Sequence, residues 1–306
     1  MSGIRVGNAP VSFGVYDGEA EAKGGWPWSR FLDDVASAGY QGTELGPYGY
    51  LPVDPARLGD ELGRRSLALA SSFVPAALGD RSRFERDLAE VLKVGRLLKS
   101  QGVAEVILAD CGDPGREQIA GRVPADGSRG WSAAHWSAAV DHLHGFARAL
   151  RDELGLALVV HHHVGTYLET PSEIERLLAS TDADLVGLLL DTGHAVYGGG
   201  DPLALLAQHG RRVRYLHFKD LKSDLLAEVR RREIDLPTAW KMGVFCALGE
   251  GCVDFRGVLA EARRLGYGGW VIVEQDVVAD DAGALRPPPA DSARASRRYL
   301  RDALGL

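Results

Sequence analysis

LALVVHHHVGTYLET (156–170) sets five aliphatic residues in front of three consecutive histidines and a glycine-bearing turn. An apolar run of that length between turn signals reads as a buried strand. Side chains alternate across a strand, so His161 and His163 share one face and His162 takes the other. The chain has only 9 histidines. Three of them at the end of one strand raise a metal or proton-transfer site, provided that other strands end in similar chemistry.

They do. Strand-like runs are predicted at 4–13, 42–46, 67–74, 104–110, 185–194, 213–220 and 269–276, which with 156–163 makes eight. Between them lie segments such as WSRFLDDVASAG, RFERDLAEVLKVGRLLKSQG and DFRGVLAEARRLG, each apolar on one helical face. Alternating strands and helices imply parallel pairing through right-handed crossovers. Eight such units in one chain of 306 residues predict an α/β fold, a (β/α)8 TIM barrel, as a single domain over 1–306. A doubly wound sheet is the alternative, but no glycine-rich phosphate fingerprint follows the first strand. Two connections, 111–130 and 221–253, exceed what a plain loop needs. Both leave strand C-termini, where barrel enzymes build their sites, so they are expected to wall or cover a substrate.

Composition narrows the partners. With 45% hydrophobic residues the chain can bury a large core, and a net charge of −7 disfavours nucleic acid and anionic membranes. Cys111, Cys246 and Cys252 fit no C-x-x-C spacing and read as reduced thiols. The first residues carry no secretory signal pattern and no apolar run spans a membrane, so a cytoplasmic protein is expected.

The strand ends carry Glu44, Asp110, His161 with His163, Asp191 with His194, His217, and Glu274. A barrel gathers these positions at its mouth. Asp110 reads as a helix cap or loop residue. His161, Asp191, His217 and Glu274 offer two imidazoles and two carboxylates, a donor set for Mn²⁺ or Co²⁺, with Zn²⁺, Fe²⁺ and Mg²⁺ as further candidates. Trp26, Trp28, Trp131 and Trp136 read as core or rim packing rather than sugar-stacking platforms.

LLLDTGH (188–194), YLHFKD (215–220) and VIVEQD (271–276) resemble the last three strands of the xylose-isomerase-like barrel superfamily of sugar isomerases, epimerases and endonuclease IV. NAPVSFG (8–14), GYQGTELGPYGYLPVDP (39–55), SFVPAAL (72–78), HHHVGTYLET (161–170), DTGHAVYGGGDP (191–202) and LGEGCVDF (248–255) resemble, more narrowly, its inosose (2-keto-myo-inositol) dehydratase branch. The likeness runs from about residue 4 to 278. It implies that Asp191, His217 and Glu274 are metal ligands. The superfamily usually has glutamate where this chain has His161; the dehydratase branch has histidine there. That branch usually reads His-Pro-His, whereas this chain has His162 in the middle. His194 matches a histidine beside the substrate, and Lys219 the lysine of a His-x-Lys-Asp segment.

The implied reaction is loss of water from a small polyhydroxylated ketone, a ketocyclitol, with ketose 3-epimerisation or aldose–ketose isomerisation as the alternative. Elimination needs a base at the carbon beside the ketone, a Lewis acid, and an acid for the departing hydroxide. Glu274 or His163 is expected as base and His194 or Lys219 as the group assisting loss of water. Glu44, His194 and Lys219 are expected to bind substrate, Glu44 with a helix-cap role as its alternative. The resemblance leaves a homodimer or homotetramer open. A degenerate sugar-binding protein is opposed by four intact ligands, and an endonuclease by the acidic charge.

Overall fold

The computed structural model describes residues 3–279 and 283–306. Nine parallel strand segments form one sheet: β1 (Arg5–Asn8), β2 (Gly42–Thr43), β3 (Ala68–Leu69), β4 (Phe73–Ala76), β5 (Glu105–Asp110), β6 (Ala157–His161), β7 (Val186–Asp191), β8 (Val213–Phe218) and β11 (Trp270–Val273). A small antiparallel ribbon, β9 (Asp220–Leu221) with β10 (Phe245–Cys246), stands apart. The order is β3-β2-β1-β11-β8-β7-β6-β5-β4. The two end segments are neighbours in the chain. Between them the Ser71 carbonyl accepts from Leu45 N at 2.9 Å and the Ser72 carbonyl from Ile107 N at 3.1 Å, so one strand changes partner midway and the sheet closes into a barrel. Counting β3 and β4 as two halves of one strand gives the predicted eight.

Each expected strand is present, and all but the third, which runs on to Ala76, are shorter than expected. The first stops at Asn8, because Pro10 has no N–H to offer a ladder and instead opens a 3₁₀ turn, Pro10–Phe13. Inward-facing side chains of successive strands, among them Val159, Leu189, Tyr215 and Ile272, fill the barrel interior as one apolar cluster. The alternate residues, such as Leu158, Val160, Leu188 and Leu216, pack outward against the helices.

Both long connections are folded. The 111–130 segment carries the short helix Pro114–Glu117, and its buried Arg116 guanidinium makes a bidentate pair with Glu173 at 2.8 and 3.0 Å. Within 221–253, helices Ser223–Arg231 and Leu236–Lys241 share an apolar cluster of their own that includes Leu226, Val229, Leu236 and Phe245. The buried Asp220 carboxylate fastens the far end of this segment by accepting the N–H groups of Gly249, Gly251 and Val253. A side chain on Gly251 would collide with that carboxylate.

Trp26 packs on Phe13 and Trp131 on Tyr167 and Trp136, as packing residues should. Among the described residues no helix is long and apolar enough to cross a membrane, and the three cysteines are free thiols.

Candidate metal centre and active site

The interior layer and the site are linked by strand periodicity. Two residues beyond Val159, Leu189, Tyr215 and Ile272, on the same inward face, stand His161, Asp191, His217 and Glu274. The barrel therefore delivers all four expected ligands to one place: one donor atom of each lies within 4.8 Å of the others. His217 Nδ1 is 3.1 Å from Glu274 Oε2 and 3.7 Å from Asp191 Oδ2, and His161 Nε2 is 3.7 Å from Asp191 Oδ2. All four side chains are buried.

Whether these groups suit a cation can be judged from what their atoms lack. Asp191 Oδ2, His161 Nδ1 and His217 Nδ1 are buried without a partner in hydrogen-bonding geometry. Buried polar atoms are normally satisfied, so Asp191 Oδ2 and His217 Nδ1, two such orphans 3.7 Å apart, fit a ligand with charge to offer. Two carboxylates and two imidazoles fit a divalent ion of borderline hardness. The other atoms of Asp191 and His217 are already used. Asp191 Oδ1 accepts the His194 N–H at 2.8 Å, capping the helix Thr192–Tyr197. His217 Nε2 lies 2.9 Å from Glu44 Oε1. Glu44 thus meets a ligand's far nitrogen while also lining the cavity, the arrangement by which a carboxylate fixes a metal-binding imidazole.

Lys219 anchors the other half of the site. Its Nζ is 2.8 Å from Asp276 Oδ1, 2.8 Å from His194 Nε2, 3.2 Å from Glu274 Oε2 and 3.6 Å from Asp191 Oδ2. Burial would lower its pKa, but Asp276, Asp191 and Glu274 hold it above the ordinary lysine value. Burial would raise Asp191; Lys219 and the neighbouring imidazoles keep it well below the usual range. Glu274, likewise opposed by burial, is held at about 2 by His217 and Lys219. His217 is raised, because Glu274 and Glu44 outweigh its burial.

The other imidazoles are neutral. Burial pushes His163 down to about 4, with His161 and Lys219 adding to it. Its Nδ1 donates to the Val164 carbonyl at 2.7 Å, which leaves Nε2 with a free lone pair. Burial also lowers His194, which accepts from Lys219. His163, His194 and Asp276 form a second close group, but the Lys219 ammonium already supplies their positive charge.

A cavity of about 630 Å³ opens above these residues, with His161, His163, Lys219, Glu274 and Asp276 in its wall. Trp240 and Tyr16 stack at 6.2 Å and also line it, so the 221–253 segment does wall the pocket. His194 is fully buried behind Lys219 and contributes nothing to the cavity wall. Asp110 lies apart, accepting the Tyr167, Leu78 and Gly112 N–H groups, a loop role; burial raises it to about 6. Sequence reading did not single out Asp276, Trp240 or Tyr16. Asp276 sat in view, on the same face two residues after Glu274; the two aromatics gave no periodic signal.

Residues 32–303 match the family described as Xylose isomerase-like TIM barrel. An inosose dehydratase of Geobacillus kaustophilus is 37% identical over 281 residues, 89% of this chain and 87% of that protein. The rhizopine catabolism protein MocC of Rhizobium meliloti is 33% identical, covering 93% of this chain and 85% of its own. In structure, the IolI protein with a bound zinc atom superposes with a TM-score of 0.72 at 13% identity, over 99% of this chain and 98% of that one.

Proposed function

This chain belongs to the xylose isomerase-like TIM barrel family, and from that membership we propose a metal-dependent hydro-lyase that removes water from a ketocyclitol such as 2-keto-myo-inositol. The observation that carries the reading is the convergence of His161, Asp191, His217 and Glu274, with unpartnered buried atoms on Asp191 and His217, beside a cavity that His161 and Glu274 line. The similarity to inosose dehydratases supports the substrate class. His161, Asp191, His217 and Glu274 would hold Mn²⁺ or Co²⁺. When bound, such an ion supplies Lewis acidity toward the ketone oxygen.

The chain's own groups divide the remaining work. Glu274 is a poor base, because His217 and Lys219 hold its charge. His163, neutral and with Nε2 free toward the cavity, takes the proton from the carbon beside the ketone. The electrons of that C–H bond form the new double bond as the C–O bond at the next carbon breaks. Lys219 donates a proton to the departing hydroxide, a stronger base than any amine, and water leaves. Asp276 and His194 hold the Lys219 ammonium in place. Proton transfer from His163 to Lys219 resets both groups. Glu44 orients His217, and Trp240 with Tyr16 walls the substrate.

The test is to incubate the protein with 2-keto-myo-inositol, with and without Mn²⁺ or Co²⁺, and follow mass and ultraviolet absorbance. Cation-dependent loss of one water with a new conjugated chromophore is expected. A product of unchanged mass would move the assignment to epimerisation or isomerisation. Exchanging His161→Glu with the cation retained should lower dehydration. Unchanged dehydration with no gain in epimerisation would count against a special role for imidazole there.

A further inference from the structure

His162 is the one member of the histidine triplet that the proposed chemistry leaves unused. It is fully buried, and it alone of the three does not line the cavity. β6 pairs with β7 only as far as His161 opposite Leu189. Beyond that point the chain after His161 turns away: His163 N donates to the Leu168 carbonyl, and the His163 carbonyl accepts from Thr166. Asp191 stands two residues further along β7, where the ladder has ended. Its N–H donates to His162 Nε2 at 3.1 Å. A side chain thus supplies the missing rung between the two strands, and in that role the ring must keep its Nε2 lone pair.

We propose that His162 is a positioning residue for Asp191: its imidazole fixes the backbone at the end of β7 and, through it, the direction of the carboxylate. On its other edge Asp191 pairs with His217 of β8, and its Oδ1 accepts the His194 N–H, so the His162 bond is what holds its backbone on the β6 side. Losing the His162 bond leaves a buried N–H unsatisfied and loosens the β6 side of the strand end that carries the proposed ligand. Proline, the residue usual here in the branch this chain resembles, has no side-chain acceptor to offer. The inference rests on the reading of Asp191 as a cation ligand.

Calorimetric titration of the full-length, chelator-stripped protein with Co²⁺ tests it, using His162→Leu, His162→Asn and His162→Gln. The glutamine amide reaches roughly where Nε2 stands, whereas the asparagine amide stops near Nδ1. Leucine and asparagine should weaken Co²⁺ binding about tenfold or more, and glutamine should keep it within about threefold of the parent. If leucine does not fold, the asparagine–glutamine comparison decides. A lower melting temperature with an unchanged Kd in both the leucine and asparagine variants would make His162 a purely structural residue and overturn the proposal. A parent protein that binds no Co²⁺ would overturn the metal centre itself, and this proposal with it.

Discussion

Replacing Lys219 by methionine should be the most damaging single change to the metal-free protein. The side chain is 1% exposed, and its Nζ lies between 2.8 and 3.6 Å from carboxylate oxygens of Asp276, Glu274 and Asp191. Methionine fills a similar volume but removes the charge. Asp191, Glu274 and Asp276 would then be left with one protonated imidazole, His217, which also faces Glu44, as their counter-charge. Removing one partner of a buried ion pair typically costs about 3–5 kcal/mol, because the other charge stays buried and unpaired. For a chain of this length about 2 °C of melting temperature corresponds to each kcal/mol, so a drop of roughly 6–10 °C is expected. The assay is thermal unfolding at pH 7.5 with a chelator present, repeated with Co²⁺. The cation should recover more stability in Lys219→Met than in the parent, since Asp191 and Glu274 are proposed to ligate it. A loss below about 1 kcal/mol would mean the carboxylates do not depend on Lys219, and the charge balance argued for the site would fail.

Glu44→Ala should weaken cation binding about tenfold to a hundredfold by freeing the His217 ring, and Glu44→Gln should do less, because an amide oxygen still accepts from Nε2; competition with a coloured chelator reads both. Trp240→Ala should raise KM for the ketocyclitol roughly two- to tenfold with little change in kcat, the worth of one aromatic contact; an unchanged KM would remove Trp240 from the substrate wall. Stability of the metal-free protein should fall as pH drops from 6.5 to 4.5. His161, His162, His163 and His194 all have lowered folded pKa values, so the unfolded chain binds the protons first. Glu169 at about 7 and Asp110 at about 6, with Glu105, Glu117, Asp220 and Asp276 also raised by burial, act in the opposite sense, and the imidazoles are expected to prevail because the unfolded chain protonates them across the whole interval. A urea midpoint that is equal or higher at pH 4.5 would contradict this sign.

The barrel was legible because its signal is periodic. Each strand alternates core and helix-facing residues, and the expected ligands fall on the inward parity at the strand ends, so parity together with donor chemistry singled out His161, Asp191, His217 and Glu274. The third strand was legible as a run but not as two halves, since its change of partner at Ser71 and Ser72 depends on where β2 and β5 lie. Glu44 was singled out, yet its contact with His217 joins residues 173 apart in sequence, and nothing local announces it. The same holds for His162 and the Asp191 N–H. Trp240 lies in a segment whose helices pack on each other rather than on the barrel core, so neither parity nor heptad-like spacing pointed it toward the pocket.

The charges of the site explain why an imidazole on the fifth barrel strand suits an elimination. Glu44, Asp191, Glu274 and Asp276 are four buried carboxyl groups gathered at one side of the cavity. Lys219 and the proposed divalent ion would bring three positive charges, with His217 neutral if it ligates that ion. A glutamate in place of His161 would deepen the deficit by a full charge at the point where the substrate itself becomes anionic, and in a buried site such a charge is weakly screened. Keeping that position neutral would leave the Lys219 charge for the departing oxygen, as proposed, rather than for a further carboxylate. His162 then has a clear place in the same scheme. It is neutral, so it can hold Asp191 by a lone pair without adding to either side of the balance.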